Sequence, residues 1–119
     1  MTTHHAVDAY LATWNARGEQ RTKLIAEHWA SDATYTDPLA EVAGHDALDA
    51  LIGGVHEQFP GCVFTPVGAV DAHHRQLRFQ WGLGPEGAEP LAVGFDVLIL
   101  DEDGRIKDVR GFLDKVPGA

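Results

Sequence analysis

The chain has 119 residues, 45% of them apolar and 23% charged, with 9 basic against 18 acidic residues and a formal charge of −9. This size predicts a single domain over residues 1–119 with a sizeable core, and it excludes a disordered or collagen-like chain. The acidic balance excludes the cationic stripe that nucleic acid or an anionic membrane surface requires, so neither is expected as a partner.

In chain order, residues 4–16 read as a helix. Val7, Tyr10, Leu11 and Trp14 fall at i, i+3, i+4 and i+7 on one face. A second helix is expected from Glu19 to Trp29, with Leu24, Ile25, His28 and Trp29 inward. Ala33 to Asp37 is short and β-prone, and Pro38 ends it. A third helix starts at Gly44–His45 and carries Leu48, Leu51, Ile52, Val55 and Phe59 on its apolar face. Gly53 and Gly54 weaken it and leave room for another backbone to approach. After Pro60 the pattern is strand: Cys62–Val70, Arg75–Leu83, Pro90–Leu100 and Arg105–Asp114, separated by turns at Asp71–His74, Gly84–Gly87 and Asp101–Gly104. Leu77, Phe79, Trp81 and Leu83 alternate cleanly onto one face. Helices followed by antiparallel strands predict an α+β fold, with the helices on one face of a curved sheet.

The stretch Val93–Leu100 is apolar on both faces: Val93, Phe95, Val97 and Ile99 on one, Leu98 and Leu100 with Asp96 on the other. Helices on one side cover only one face, so a homodimer through the outer sheet face is expected. Cys62 is the single cysteine, which excludes an intrachain disulfide and reads as core filler. Met1 to Val7 shows no basic stretch followed by an apolar run, and no run approaches a membrane span, so a cytoplasmic location is expected.

Asp96 is the oddest residue, a carboxylate inside Val-Gly-Phe-Asp-Val-Leu-Ile-Leu. It either sits at a bulge, solvated or paired with an arginine such as Arg78 or Arg110, or points into an apolar cavity where burial holds its proton on. Asp37 precedes Pro38 and shares a strand face with Tyr35; it is either a turn starter or a general base with access to that cavity. Tyr10, inward on the first helix, is either a core residue or a hydroxyl donor into the cavity. Trp14, Trp29, Tyr35, Phe59, Trp81, Phe112 and Leu113 are expected as cavity wall or core. His28 and His56 sit on helices without an assignable direction. The pairs His4–His5 and His73–His74 have no ligand spacing, and there is no HExxH or Cys/His cluster, so no metal is expected. There is no phosphate loop, dinucleotide fingerprint or Gly-x-Ser-x-Gly elbow, so no cofactor and no nucleophile is expected.

Four stretches carry a family resemblance: Tyr10-Leu-Ala-Thr-Trp-Asn-Ala16, Trp29-Ala-Ser-Asp-Ala-Thr-Tyr-Thr-Asp-Pro38, Gly44-His-Asp-Ala-Leu48, and Gly94-Phe-Asp96 through Asp103-Gly-Arg-Ile106. Over nearly its whole length the chain resembles the nuclear-transport-factor-2-like superfamily, and within it the ketosteroid isomerase and SnoaL-like polyketide cyclase groups. The resemblance implies a cone of three helices against a strongly bent, mainly antiparallel mixed sheet with a deep apolar pocket. Tyr10, Asp37 and Asp96 match the ketosteroid isomerase tyrosine, Asp-Pro aspartate and mid-strand aspartate. In that family they serve as oxyanion donor, proton shuttle and neutral carboxyl donor. The additional tyrosines of that network have no match here, and Trp14, one turn below Tyr10, is expected to shrink the pocket below steroid size. The expected function is cofactor-free proton transfer next to a carbonyl of a small hydrophobic substrate. The alternatives are a polyketide cyclase, a non-catalytic binding or interaction domain, and an epoxide-opening hydrolase that would need an arginine beside Asp96.

Overall fold

A computed structural model describes residues 3–117, with side chains from His5 onward. Helix α1 (Thr3–Asn15) forms where the sequence places it. Its stripe of Val7, Tyr10, Leu11 and Trp14 is buried throughout. Helix α2 (Gly18–His28) ends one residue before the expected stop, because Trp29 takes an extended backbone (φ −115°, ψ 139°) and opens strand β1 (Trp29–Thr36). Strand β1 is therefore longer than its β-prone core. It turns back through Asp37 into a three-residue strand, β2 (Glu41–Ala43), that the sequence pattern does not announce. Helix α3 (His45–Gln58) buries Leu48 and Ile52. The expectation that its glycines admit another backbone is not met: a Cβ on Gly53 would meet the Arg21 guanidinium at 3.2 Å, and Gly54 faces open space.

The remaining strands are β3 (Cys62–His73), β4 (Gln76–Pro85), β5 (Ala92–Leu100) and β6 (Ile106–Lys115). They form a six-stranded sheet in the order β2-β1-β6-β5-β4-β3. All neighbours are antiparallel except β1 and β6, so the sheet is mixed. Its curl has local causes. The register of β3 against β4 slips between Val67 and Asp71, where Gly68 adopts φ 71°. Pro66 is tolerated because β3 is an edge strand.

The inner face of the sheet presents Leu77, Phe79, Trp81 and Leu83 from β4, Leu98 from β5, and Ile106 and Val109 from β6. The helices cover this face, with Ile25 joining the stripe of α1 in one cluster. The outer face of β5 carries Val93, Phe95, Val97 and Ile99, all half-buried. Phe112 lies beside Phe95 on β6 and is 58% exposed, so it is neither core nor cavity wall. Cys62 is half-buried and packs against the core cluster. Among the described residues, no helix is long and apolar enough to cross a membrane.

Candidate functional site

The open end of the curl encloses a cavity of about 380 Å³. That volume is at the lower end of the ~300–1,000 Å³ typical of small-molecule sites. Its wall includes Tyr10, Trp14, Tyr35, Asp37, Phe59, Trp81 and Leu113, all expected from the sequence. Phe64 joins them from the bulged strand β3, where Pro66 and Gly68 hide the alternation. Leu39, 81% exposed, and Val116, 39% exposed, belong to the same lining and put apolar side chains in contact with solvent at its rim. Trp29 does not reach the cavity. It is 1% exposed, donates its indole N–H to Thr13 Oγ1 at 3.2 Å, and packs behind Tyr10 with ring centroids 5.6 Å apart.

Asp96 points inward from the middle of β5 and is 1% exposed. Neither candidate arginine reaches it: Arg78 pairs with Asp71 at 3.0 Å and Arg110 with Asp108 at 2.8 Å, both on the exposed side. Its Oδ2 instead accepts the Tyr10 hydroxyl at 2.5 Å and the Trp81 indole N–H at 3.0 Å. Tyr10 and Trp81 line the cavity, and Asp96 stands behind them, outside the lining.

Two glycines make this arrangement possible. Gly94 is the β5 partner of Trp81, and a Cβ there would overlap the indole ring, so the glycine lets Trp81 lie across the strand toward Asp96. Gly111 is the β6 partner of Asp96, and a Cβ there would stand 2.6 Å from Asp96 Oδ1 and 3.4 Å from Asp37 Cβ. The two carboxylates therefore share the space above one glycine.

Asp37 is held at the end of β1 by three hydrogen bonds. Oδ1 accepts the backbone N–H of Leu39 at 2.8 Å and of Ala40 at 2.9 Å, and Oδ2 accepts the Tyr35 hydroxyl at 2.7 Å. The Asp-Pro turn and the wall position are thus the same residue in one geometry. Burial pushes the Asp96 carboxyl up from 3.8 to about 7. Its two donors oppose that shift and the Asp37 charge adds to it. Tyr10 is raised well above 10, first by burial and then by the Asp96 charge, and Tyr35 rises for the same reasons with Asp37 contributing. Both phenols are therefore neutral donors near pH 7.

A tyrosine has one proton to give. While Asp96 is ionised, Asp96 holds the Tyr10 proton. Once Asp96 is neutral it can donate to the phenol oxygen, which leaves the Tyr10 proton free for another acceptor. None of the described histidines lines the cavity. His56 bonds the Trp14 carbonyl at 2.6 Å, and His28 stacks edge-on with His5 across a separate hollow. Among the described residues no three His, Cys, Asp or Glu side chains stand together as a metal would need. The side chain of His4, half of one histidine pair, lies outside the described residues.

Residues 7–109 match the family model of the SnoaL-like domain. The chain belongs to the SnoaL-like family. A solved structure from Agrobacterium tumefaciens, provisionally named an isomerase of this SnoaL-like family, is 37% identical, with a TM-score of 0.88 over 93% of this chain and 96% of that one. A provisionally named ketosteroid isomerase from Kribbella flavida is 17% identical, with a TM-score of 0.70 over 97% of this chain and 79% of that one. A provisionally named polyketide cyclase from Sinorhizobium meliloti is 16% identical, with a TM-score of 0.71 over 90% and 93%. These last two likenesses show the fold alone. The three helices and mixed sheet are those of the nuclear-transport-factor-2-like cone, as the resemblance implied. No curated protein matches the chain.

Proposed function

We propose that this SnoaL-like protein is a cofactor-free isomerase that moves a proton on the carbon beside a carbonyl group of a small apolar substrate. The observation that supports it is the Tyr10–Asp96 hydrogen bond at the edge of an apolar cavity whose wall also carries Asp37. In this reading Asp37 takes the proton from the carbon, and the electron pair moves into the carbon framework as the carbonyl becomes an oxyanion. Tyr10 donates to that oxyanion, backed by neutral Asp96. The proton then returns from Asp37 to the far carbon, giving the conjugated ketone. Tyr35 and the turn N–H groups keep Asp37 aimed during both transfers. The same enolate chemistry would serve ring closure of a polyketide chain. Without productive turnover, the cavity would serve as a binding site alone.

The test follows the ultraviolet absorbance of a conjugated enone forming from two β,γ-unsaturated ketones, a 3-ketosteroid and a simple cyclohexenone. Turnover is expected with at least one of them, falling as pH rises through about 7, where Asp96 ionises. Asp37→Asn is expected to reduce it by ~10²–10⁴-fold. No turnover of either ketone above buffer, or full turnover by Asp37→Asn, overturns the proposal.

A further inference from the structure

The protein has three tryptophans, and two of their indole N–H groups are satisfied: Trp29 by Thr13 Oγ1 and Trp81 by Asp96 Oδ2. Trp14 is different. Its residue is 4% exposed, it lines the cavity, and its Nε1 is buried without a hydrogen-bond partner. Buried N–H groups are almost always paired, and an exception in a cavity wall calls for an account. Burial without a partner costs free energy comparable to a lost hydrogen bond, so a residue kept this way has a partner in some state of the site.

The geometry indicates which partner. Trp14 is one helical turn from Tyr10 on α1, the i, i+4 relation that brings side chains together, with ring centroids 6.3 Å apart. Its other ring neighbours across the site are Tyr35 at 5.6 Å and Phe64 at 5.2 Å. Phe64 has no side-chain acceptor, and the Tyr35 oxygen, which gives its proton to Asp37 and still has lone pairs to offer, is the alternative acceptor that a Tyr10→Phe variant separates from Tyr10. The Trp14 N–H favours the ionised form of Tyr10, a small effect beside the burial that opposes it, and it makes no hydrogen bond in this geometry. A neutral phenol oxygen is a modest acceptor. As its proton moves toward another oxygen it gains negative charge, and charge-assisted hydrogen bonds are shorter and stronger.

We propose that Trp14 is a positioning residue for Tyr10, its indole N–H closing on the Tyr10 oxygen when Tyr10 gives its proton to an oxygen of the bound molecule. The site would then select apolar molecules that carry one oxygen acceptor. The inference rests on the reading that the cavity takes such a molecule, but not on turnover.

The test uses ¹⁵N-labelled protein and two probes of matched shape, 2-naphthol and 2-methylnaphthalene. The chain gives three indole N–H signals, and the one missing in Trp14→Phe belongs to Trp14. With 2-naphthol, that signal is expected to move strongly downfield, while those of Trp29 and Trp81 move little. With 2-methylnaphthalene it is expected to stay near its free position. Trp14→Phe keeps the ring, so it is expected to weaken 2-naphthol about fivefold and leave 2-methylnaphthalene unchanged. In Tyr10→Phe the downfield shift is expected to vanish. A Trp14 shift that persists in Tyr10→Phe, or equal shifts with both probes, overturns the assignment while leaving the cavity reading intact. Failure of both probes to bind the wild type overturns the cavity reading and this inference with it. Nuclear Overhauser contacts from each indole N–H to its ring neighbours assign the three signals in the wild type, so the titration with the two probes decides the matter even if a variant does not fold.

Discussion

Replacing Asp96 with asparagine removes the charge and keeps the shape. The amide oxygen that Asp96→Asn introduces can still accept from Tyr10 and Trp81, the two donors that Asp96 Oδ2 serves in the wild type. The effect on stability follows from linkage. Unfolded, the carboxyl releases its proton near 3.8; folded, it releases it near 7. Between those values the folded chain binds a proton that the unfolded chain has lost. Stability from this group is therefore full below pH 3.8, falls as pH rises to about 7, and is flat above it. At 1.36 kcal/mol per pH unit the loss approaches ~4 kcal/mol, an upper bound for a buried carboxyl. Asp96→Asn does not ionise and escapes it. Urea titrations of both proteins at pH 4, 5.5, 7 and 8 measure the difference, which cancels the titration of groups that do not interact with Asp96. The variant is expected to gain on the wild type steadily with pH, reaching ~2–4 kcal/mol at pH 8, or roughly 10 °C in Tm for a chain of this size. A gap that does not change with pH, or a variant less stable at pH 8, would show that the folded protein accommodates the Asp96 anion readily, and the account of Tyr10 as a gated donor would fall with it.

Gly111→Ala puts a methyl group 2.6 Å from Asp96 Oδ1, a carboxyl pinned through its other oxygen by two donors. It is expected to cost ~1–3 kcal/mol in a urea melt and to reduce binding of 2-naphthol, whereas an alanine at the open Gly54 position should do neither. The homodimer expected through the outer sheet face would cover the half-buried outer residues of β5 and the exposed Phe112. Phe112→Lys loses an apolar contact of ~1.5–3 kcal/mol in each copy, so sedimentation should find dimer dissociation increased by at least ~10²-fold, and a wild type already monomeric at micromolar concentration would remove the dimer from consideration.

Much of the frame is legible in the sequence because single periodicities dominate it. The stripe of α1 and the alternation of β4 each have one interpretation, and the structure keeps both. Where two local rules compete, the pattern misleads. Trp29 continues the helical stripe of α2 in sequence, but in space it opens β1 with the register of the sheet. Phe112 looks like core by its side chain. The pairing of β5 and β6 shifts between Ile99 and Leu100, which resets the parity of β6 so that Val109, Gly111 and Leu113 face inward and Phe112 faces out. Strand β2 offers only Val42 as an apolar residue of any size and gains its pairing from the turn that Asp37 builds. The cavity is illegible for a different reason: an inward aromatic looks the same in sequence whether it closes a core or lines a void. Trp14 and Trp29 differ in this without differing in pattern.

The strongest pointer to the site is a set of local costs gathered in one place. Asp96 is a poor strand residue and a costly one to bury. Gly94 and Gly111 each weaken the strand interior by ~0.5–1 kcal/mol relative to alanine. None of the three improves the sheet. Together they seat Trp81 against Asp96, turn Asp96 toward Tyr10, and bring Asp96 and Asp37 over the same glycine. A core selected for stability alone would place small β-branched residues at all three positions and have no need of the hydrogen bonds. Departures from local preference that cluster so tightly, and that compensate one another, are what a functional site looks like in a stable fold. That argument reaches Tyr10, Asp96 and Asp37 without any knowledge of the substrate. Trp14 belongs to the core cluster by its burial, and its unpaired N–H in the same wall is one more local cost at this place.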